Sequence, residues 1–427
     1  MQQYFSSSVP SRFTSFYYGW VIVAVAGLGV FFSGPGQTYS VSVFINSYIQ
    51  DFGWSRSLVS GIYSFATLAA GLLLFIIGRL VDRFGQRVMM AGVGLMLAVA
   101  CFWNSLVIGP IMLFIGFFML RLFGQGSMTL VPNTLVPQWF IQKRGRALSV
   151  MTIGAFASSA ALPPFNAWMI HTWGWPVAWR VWGIVLIIVF VPLVLFFVRN
   201  RPEDIGLLPD NASNHSETQT DGKGETHLYE DNWTLKEAMR TRSFWLVLLC
   251  VAIPALVNTG VTFHLVSILG QQGIEPTTAA FVLSLMAIVG FPMTFFAGYV
   301  VDRFKVHRVL GLSFIGQLAF LILLIFVHST AMAVLFGVIW GMVNGMERIT
   351  LNVVWPDYFG RKHLGSIKGF ATTFIVIGSA FGPLPFGVAF DLFDGYTEIL
   401  IAMMIFPLIG CVSAFISPPP TREERSV

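Results

Sequence analysis

Four side chains able to hold an ion or exchange a proton stand inside otherwise apolar stretches: Arg121, His264 and the adjacent Glu347 and Arg348. A charge at bilayer depth costs at least ~2.5–3.5 kcal/mol, so such residues turn toward protein interior or a wet cavity. Arg121, followed by Gly124 and Gly126, reads as the only fixed cation near the middle of its stretch. A guanidinium fork can bind both oxygens of a carboxylate, which makes Arg121 a candidate anion contact; its other use is to pair with Glu347 and join helices. Neighbours on a helix point about 100° apart, so Glu347 and Arg348 cannot form one tidy pair, and one of them is left for the cavity. A buried glutamate can carry a proton, although an adjacent arginine favours its charged form; a structural ion pair is the alternative. His264 titrates near neutral pH and can donate to an anion or exchange a proton, or else serve as a hydrogen-bonded packing residue. Tyr39, Gln37, Gln125, Asn133, Asn258, Asn344 and Asn352 complete a candidate cavity. Their alternative is hydrogen bonding between helices, worth about 0.6 kcal/mol each.

The elements that must position these groups follow from composition. Hydrophobic residues make up 56% of the 427-residue chain and charged residues 11%, against about 45–50% and about 25% in soluble domains. So much apolar surface, including 41 phenylalanines, requires lipid and predicts an all-α polytopic membrane protein. The net charge of +5 does not point to nucleic acid, because the cations follow a membrane pattern. Apolar runs near 17–46, 56–79, 86–107, 109–136, 146–171, 176–198, 243–271, 277–300, 307–327, 330–355, 365–390 and 396–417 predict twelve transmembrane helices. With the N-terminus inside, 21 of the 25 Lys and Arg fall on cytoplasmic segments. Both termini are therefore expected in the cytoplasm of a plasma-membrane protein, with no removable signal peptide. The expected organisation is a cytoplasmic segment 1–16, a six-helix half 17–198, a flexible polar linker 199–242, a second six-helix half 243–417 and a cytoplasmic tail 418–427. TLKEAMRTRSFW, at the linker's end, predicts a short amphipathic helix capped by Thr234 with Glu237 three residues on. Cys101, Cys250 and Cys411 have no paired spacing and no His partner, so neither a metal site nor a disulfide framework is expected.

The halves repeat each other. GRLVDRFGQR (78–87) returns as GYVVDRFKVHR (298–308), aligning Gly78 and Asp82 with Gly298 and Asp302. QGSMTLVPNTLVPQWF (125–140) returns as NGMERITLNVVWPDYF (344–359), aligning Gly126, Asn133 and Pro137 with Gly345, Asn352 and Pro356. Arg144-Gly145-Arg146-Ala147 returns as Lys368-Gly369-Phe370-Ala371, each followed by a glycine, Gly154 or Gly378. His264 aligns with Phe44 and so departs from the symmetric pattern. Duplicated halves around a central path are the architecture of a secondary transporter.

The loop G-x-L-x-D-R-x-G-x-R resembles the signature of the major facilitator superfamily. YYGWVIV, DFGWSRSLVSG, WFIQKRGRALSV, the FH of the seventh span, DYFGRKHLGSIKG and GSAFGPLPFGVAFDLFDGY further resemble its monocarboxylate-transporter and oxalate/formate-antiporter-like branch, over about residues 17–417. The resemblance implies a major facilitator fold with two pseudo-symmetric halves, a monomer, and a gating role for Asp82, Arg83 and Arg87, with a weaker counterpart at Asp302 and Arg303. Gly154, Ser158, Pro163 and Pro164 in span five, and Gly378, Gly382, Pro383 and Pro385 in span eleven, are sliding or hinge positions or simple close packing. The branch's arginine in span eight is absent, since 277–300 holds no charge. With one cavity cation, a doubly charged substrate such as oxalate is disfavoured. The expected function is proton-coupled transport of a small organic anion, a monocarboxylate first, by alternating access. Efflux of an amphiphilic metabolite or drug is the alternative, and a non-transporting nutrient sensor, which would carry a long tail, is a third. No phosphate-binding loop and no catalytic cluster occurs in the sequence, so neither ATP-driven pumping, enzymatic activity nor a cofactor is expected.

Overall fold

In a computed structural model, described over residues 17–140, 143–211, 233–360 and 364–420, every regular element is a helix. Twelve helices are long and apolar enough to cross a bilayer: Gly19–Phe52, Arg56–Val81, Gln86–Asn104, Pro110–Trp139, Arg146–Trp173 and Trp175–Phe197, then Arg242–Gln271, Pro276–Val301, Val306–Ile325, Thr330–Phe359, Phe370–Phe393 and Thr397–Phe415. In lipid the backbone must satisfy its own hydrogen bonds, which explains why runs dotted with proline remain helical. Eleven of the expected runs differ from these by a few residues. The first extends to Phe52, because its polar end stays helical until Gly53 turns left-handed at φ 65°.

Span six widens to π-helix over Leu186–Phe190, spans eleven and twelve are interrupted at Gly382 and Met404, and two further departures shape the surroundings of Arg121. The first span is split by Gly34-Pro35-Gly36 into Gly19–Phe32 and Thr38–Phe52, with Gln37 extended between them. The fourth span widens to π-helix over Leu120–Ser127, the segment that carries Arg121 and Gln125. Its repeat partner, Thr330–Phe359, stays regular α-helix.

One buried core runs through the first six spans and takes in Phe263 of span seven; a second runs through the last six and takes in Val43 and Ala167 of the first half. The halves touch where span two meets span eleven, span one meets span seven, and span five meets span eight. A smaller cluster around Trp233, Phe244, Trp355 and Phe359 packs the start of the second half against the linker's end.

The repeat returns in bonds. Trp139, closing span four, donates from Nε1 to the Arg199 carbonyl beyond span six at 3.1 Å. Tyr358, at the matching place in span ten, donates from its hydroxyl to the Ser417 carbonyl beyond span twelve. Tyr17 and Tyr18 add ties from span one to the Trp139 carbonyl at 2.8 Å and the Phe197 carbonyl at 2.7 Å. We call this end, which carries residues 199–211 and 233–242, the linker face.

The linker's ends are folded. Lys143 N donates to Asp210 at 3.2 Å, and Trp233 N donates to the Phe359 carbonyl at 3.0 Å. Residues 212–232 of the expected flexible linker lie outside the described residues, as do 1–16 and 421–427. The expected amphipathic helix is one turn, Leu235–Ala238, with the anticipated box: Glu237 N donates to Thr234 Oγ1 at 3.3 Å and Thr234 N to Glu237 Oε2 at 2.8 Å. It does not run on, because Thr241 starts a new helix by accepting from Phe244 N at 3.3 Å.

Candidate substrate path between the halves

The face opposite the linker is closed by contacts between halves. Asp391 of span eleven accepts from Arg56 N at 3.1 Å and Ser57 N at 2.9 Å, while Ser55 accepts from Leu58 N at 3.1 Å. Three of the amides left open at the start of span two are thereby satisfied, two of them by the other half. The Arg56 guanidinium donates to Asn46 at 3.0 Å and Ser267 at 2.7 Å, and covers the Phe390 ring at 4.3 Å. His264 is fully buried in this closure: Nε2 meets Ser60 Oγ at 3.1 Å and the Pro383 carbonyl at 3.0 Å, and Nδ1 meets the Tyr396 hydroxyl at 3.1 Å.

Below this closure the halves part. A cavity of about 170 Å³ lies among spans one, four, five, eight and ten and is lined by Gln37, Tyr39, Thr129, Phe156, Asn344 and Arg348. A second, of about 410 Å³, continues along spans seven, ten and eleven past Asn258, Asn344, Glu347 and Arg348 to Asn352 and Lys368. A third, of about 760 Å³, runs along spans two, four and eleven past Arg121, Gln125, Thr129 and Asn133. Thr129 lines the first and third, Asn344 and Arg348 the first and second, and Thr372 and Ile375 the second and third. Together they form one vestibule reaching toward the linker face.

Arg121 is 2% exposed. The break in span one frees the Gly36 carbonyl, and Arg121 Nη1 donates to it at 3.2 Å and to Thr38 Oγ1 at 3.3 Å. Tyr63 lies under the guanidinium at 5.0 Å and donates to the same Thr38 hydroxyl at 2.8 Å. Nε and Nη2, which make one edge of the fork, have no partner among the described residues. That edge has the donor pattern a carboxylate's two oxygens match. The repeat supplies the counterpart: Trp340 stands where Arg121 does and Asn258 where Thr38 does, and Trp340 Nε1 donates to Asn258 Oδ1 at 2.9 Å.

The expected ion pair of Arg121 with Glu347 does not form. Glu347 Oε2 instead accepts from Asn258 Nδ2 at 3.1 Å, and Oε1 has no partner among the described residues. Arg348, on the adjacent face, is exposed into the cavity with its guanidinium 4.9 Å from the Phe156 ring of the other half. The vestibule therefore holds a second arginine, and the expectation of a single cavity cation is corrected. The adjacency in sequence hid this, because only the helix's rotation tells which of two neighbours faces the path.

Of the other expected contacts, Tyr39 lines the cavity and donates to Ser158 Oγ at 2.9 Å, and Gln125 and Asn344 line it from opposite halves. His264 stands away from the cavity, in the closed face. At the linker face, Arg83 lies over Phe84 at 5.3 Å and Arg303 over Tyr299 at 4.1 Å. Arg87 N donates to Asn200 Oδ1 at 2.8 Å, and its guanidinium donates to the Leu195 carbonyl. The Asp82 and Asp302 side chains fall outside the described residues. Sequence reasoning missed the Asp391 cap and the Phe156 ring, which depend on tertiary approach alone. It also missed the break in span one, for which Gly34-Pro35-Gly36 was a usable signal.

The model of the Major Facilitator Superfamily matches residues 26–383. Monocarboxylate transporter 2 of Homo sapiens is 25% identical over 92% of this chain and 85% of its own length. The multi-drug resistance efflux pump PmrA homolog of Lactococcus lactis is 20% identical over 94% of this chain and 96% of its own. The crystal structure of a bacterial homolog to the human lysosomal transporter Spinster, inward-facing and unoccupied, superposes with a TM-score of 0.73 at 14% identity, covering 94% of this chain and 97% of that one. With twelve spans, two repeated halves and a vestibule between them, this chain belongs to the major facilitator superfamily.

Proposed function

We propose that the protein is a proton-coupled carrier of a small organic anion, a monocarboxylate being the minimal case, and that it works by alternating access in the plasma membrane. The observation that carries this reading is the unpartnered Nε–Nη2 edge of Arg121, buried beside a vestibule between the halves. A carboxylate there gains two charge-assisted hydrogen bonds and neutralises a guanidinium that is costly to leave bare at this depth. Gln125 and Asn344 offer further donors to the bound anion, and Tyr39 can turn its one hydroxyl proton to it only by giving up the bond to Ser158. Glu347, with one free oxygen, is the proton carrier; Asn258 and Trp340 hold its other oxygen in place. His264 acts in closing the far face rather than on the substrate.

The linker face is taken as cytoplasmic, because 21 of 25 Lys and Arg then lie inside. The conformation is accordingly open inward, with the proposed gating residues Asp82, Arg83, Arg87, Asp302 and Arg303 at the helix ends of the linker face. One feature favours efflux of an amphiphile instead: the 760 Å³ cavity also presents Leu74, Leu130, Ile375 and Val376.

Proteoliposomes loaded with a pH dye and challenged with a panel of organic acids separate the two. Internal acidification that tracks uptake of one acid, absent without protein and lost in Arg121→Gln, is the expected result. Silence across the panel, with dye efflux that survives Arg121→Gln, would establish the amphiphile reading.

A further inference from the structure

We infer that Arg348 forms a second anion subsite, separate from Arg121, so that the carrier prefers an anion with two separated acidic groups, a dicarboxylate, over a monocarboxylate of equal length. This rests on the organic-anion reading above and names its substrate class.

The argument begins with the repeat. Thr129 and Arg348 occupy matching positions in spans four and ten, four residues before the matching Asn133 and Asn352. The match extends to the bonds: Asn133 Nδ2 donates to the Thr129 carbonyl at 2.7 Å, and Asn352 Nδ2 donates to the Arg348 carbonyl at 2.8 Å. Both side chains line the 170 Å³ cavity from opposite halves. The N-terminal copy is a neutral hydroxyl that bonds back to its own helix at 2.6 Å, so this half places no charge there. The C-terminal copy is a guanidinium. Backbone symmetry demands nothing of the kind, and a like-sized uncharged chain would pack as well.

The guanidinium also lacks what a structural arginine would have. No described carboxylate pairs with it, and its one close aromatic contact is the Phe156 face. Its neighbour Glu347 points to Asn258 instead. A ring behind a guanidinium leaves the N–H edges free to meet a ligand, while the cation–π contact fixes the plane. Gln37, Asn344 and Thr294 stand around it as neutral hydrogen-bonding groups.

Charge counting then selects the ligand. Among the described residues the charges lining the three cavities are Arg121, Arg348, Lys368 and Glu347, which leaves two cations uncompensated when Glu347 is ionised, and Thr129 lines the cavities of both arginines. A monocarboxylate on Arg121 leaves Arg348 uncompensated in a low-dielectric path. A dicarboxylate with a spacer neutralises both, one acid group on each half of the protein. Lys368, whose Nζ lies 3.4 Å from Asn352 Oδ1 at the outer part of the vestibule, supplies attraction on the way in.

The test compares uptake and competition by straight-chain mono- and dicarboxylates of two to six carbons in proteoliposomes, with wild type, Arg348→Gln, Arg348→Lys and Arg121→Gln. Melting temperatures establish that each variant is folded. Wild type should favour the best dicarboxylate over the monocarboxylate of equal length by roughly 10- to 100-fold in KM, the scale of a charged hydrogen-bonding group gained. Arg348→Gln should erase that preference while monocarboxylate KM stays within about twofold, and Arg348→Lys should restore it in part. Equal loss for both acid classes, or a preference that survives in Arg348→Gln, would overturn the second subsite. Failure of wild type to move any organic acid would instead overturn the transport reading on which this rests.

Discussion

Arg121 holds the break in span one and is proposed to hold the anion as well, and its substitutions should separate the two roles. Its Nη1 satisfies the carbonyl exposed where span one breaks, and its opposite edge is free for an anion. Arg121→Lys keeps the charge but loses the planar fork, so we expect KM for the transported acid to rise about tenfold or more with a small loss of stability. Arg121→Gln should also lower stability, by about 1–3 kcal/mol if the Gly36 carbonyl is left without a donor. Thermal melting beside uptake kinetics checks both. Glu347 is tested differently. Glu347→Gln mimics a permanently protonated side chain, so accumulation driven by a proton gradient should vanish while substrate–substrate exchange continues; equal loss of both would assign Glu347 a purely structural place. At this scale the sequence was informative about which charged residues lie inside the spans and poor on which way they face. Arg121 was legible as a lone cation in an apolar run. Arg348 was not, because one residue of helix rotation decides between burial beside Asn258 and exposure beside Phe156.

Elements carry the motion. Span five lies so close to span one that a Cβ built on Gly154 would overlap the Gly27 carbonyl oxygen. Its repeat partner Gly378 meets the Ala252 carbonyl of span seven at 2.8 Å in the same sense. In both places the nearest atom met is a backbone carbonyl oxygen, which has no rotamer by which to yield. Gly154→Val should therefore destabilise the first half by about 1–3 kcal/mol through overpacking and stop transport, read as a lower melting temperature with lost uptake. Span eleven also controls the far face through the Asp391 cap on span two. Losing such a cap costs about 0.5–2 kcal/mol. That shift corresponds to a roughly 2- to 30-fold larger far-face-open population. Asp391→Ala should accordingly speed labelling of a cysteine placed at the buried Ser60 by that factor, from outside the cell. The spans themselves were readable from twenty-residue apolar runs, and the glycine landmarks from the repeat. The cap was unreadable: Asp391 sits 334 residues from Ser57, and only the closed arrangement of the halves joins them.

At the scale of the whole molecule, the two cores meet along three pairs of spans and part toward the linker face. At the opposite face Phe263 of the second half packs on Tyr63 of the first at 4.4 Å, and the polar contacts beside it are a carboxylate on two amides, an arginine on two neutral side chains, and a histidine among two hydroxyls and a carbonyl. Polar contacts of this kind can be exchanged for water at small net cost, as a reversible gate requires, whereas the apolar cores within each half cannot. A rocking of intact halves is the motion this distribution permits. Thr372 reports on it, because it is exposed and lines two arms of the vestibule. Cys101 and Cys250 are buried, so a Thr372→Cys variant with Cys411→Ser leaves one reactive thiol. A membrane-impermeant maleimide should label it in inverted vesicles and spare it in intact cells, and saturating substrate should slow the reaction. Labelling from the outside alone would reverse the sidedness taken from the lysine and arginine pattern. Labelling from both sides at comparable rates would mean that the halves spend similar time in each arrangement, and that the far-face contacts are weaker than their number suggests.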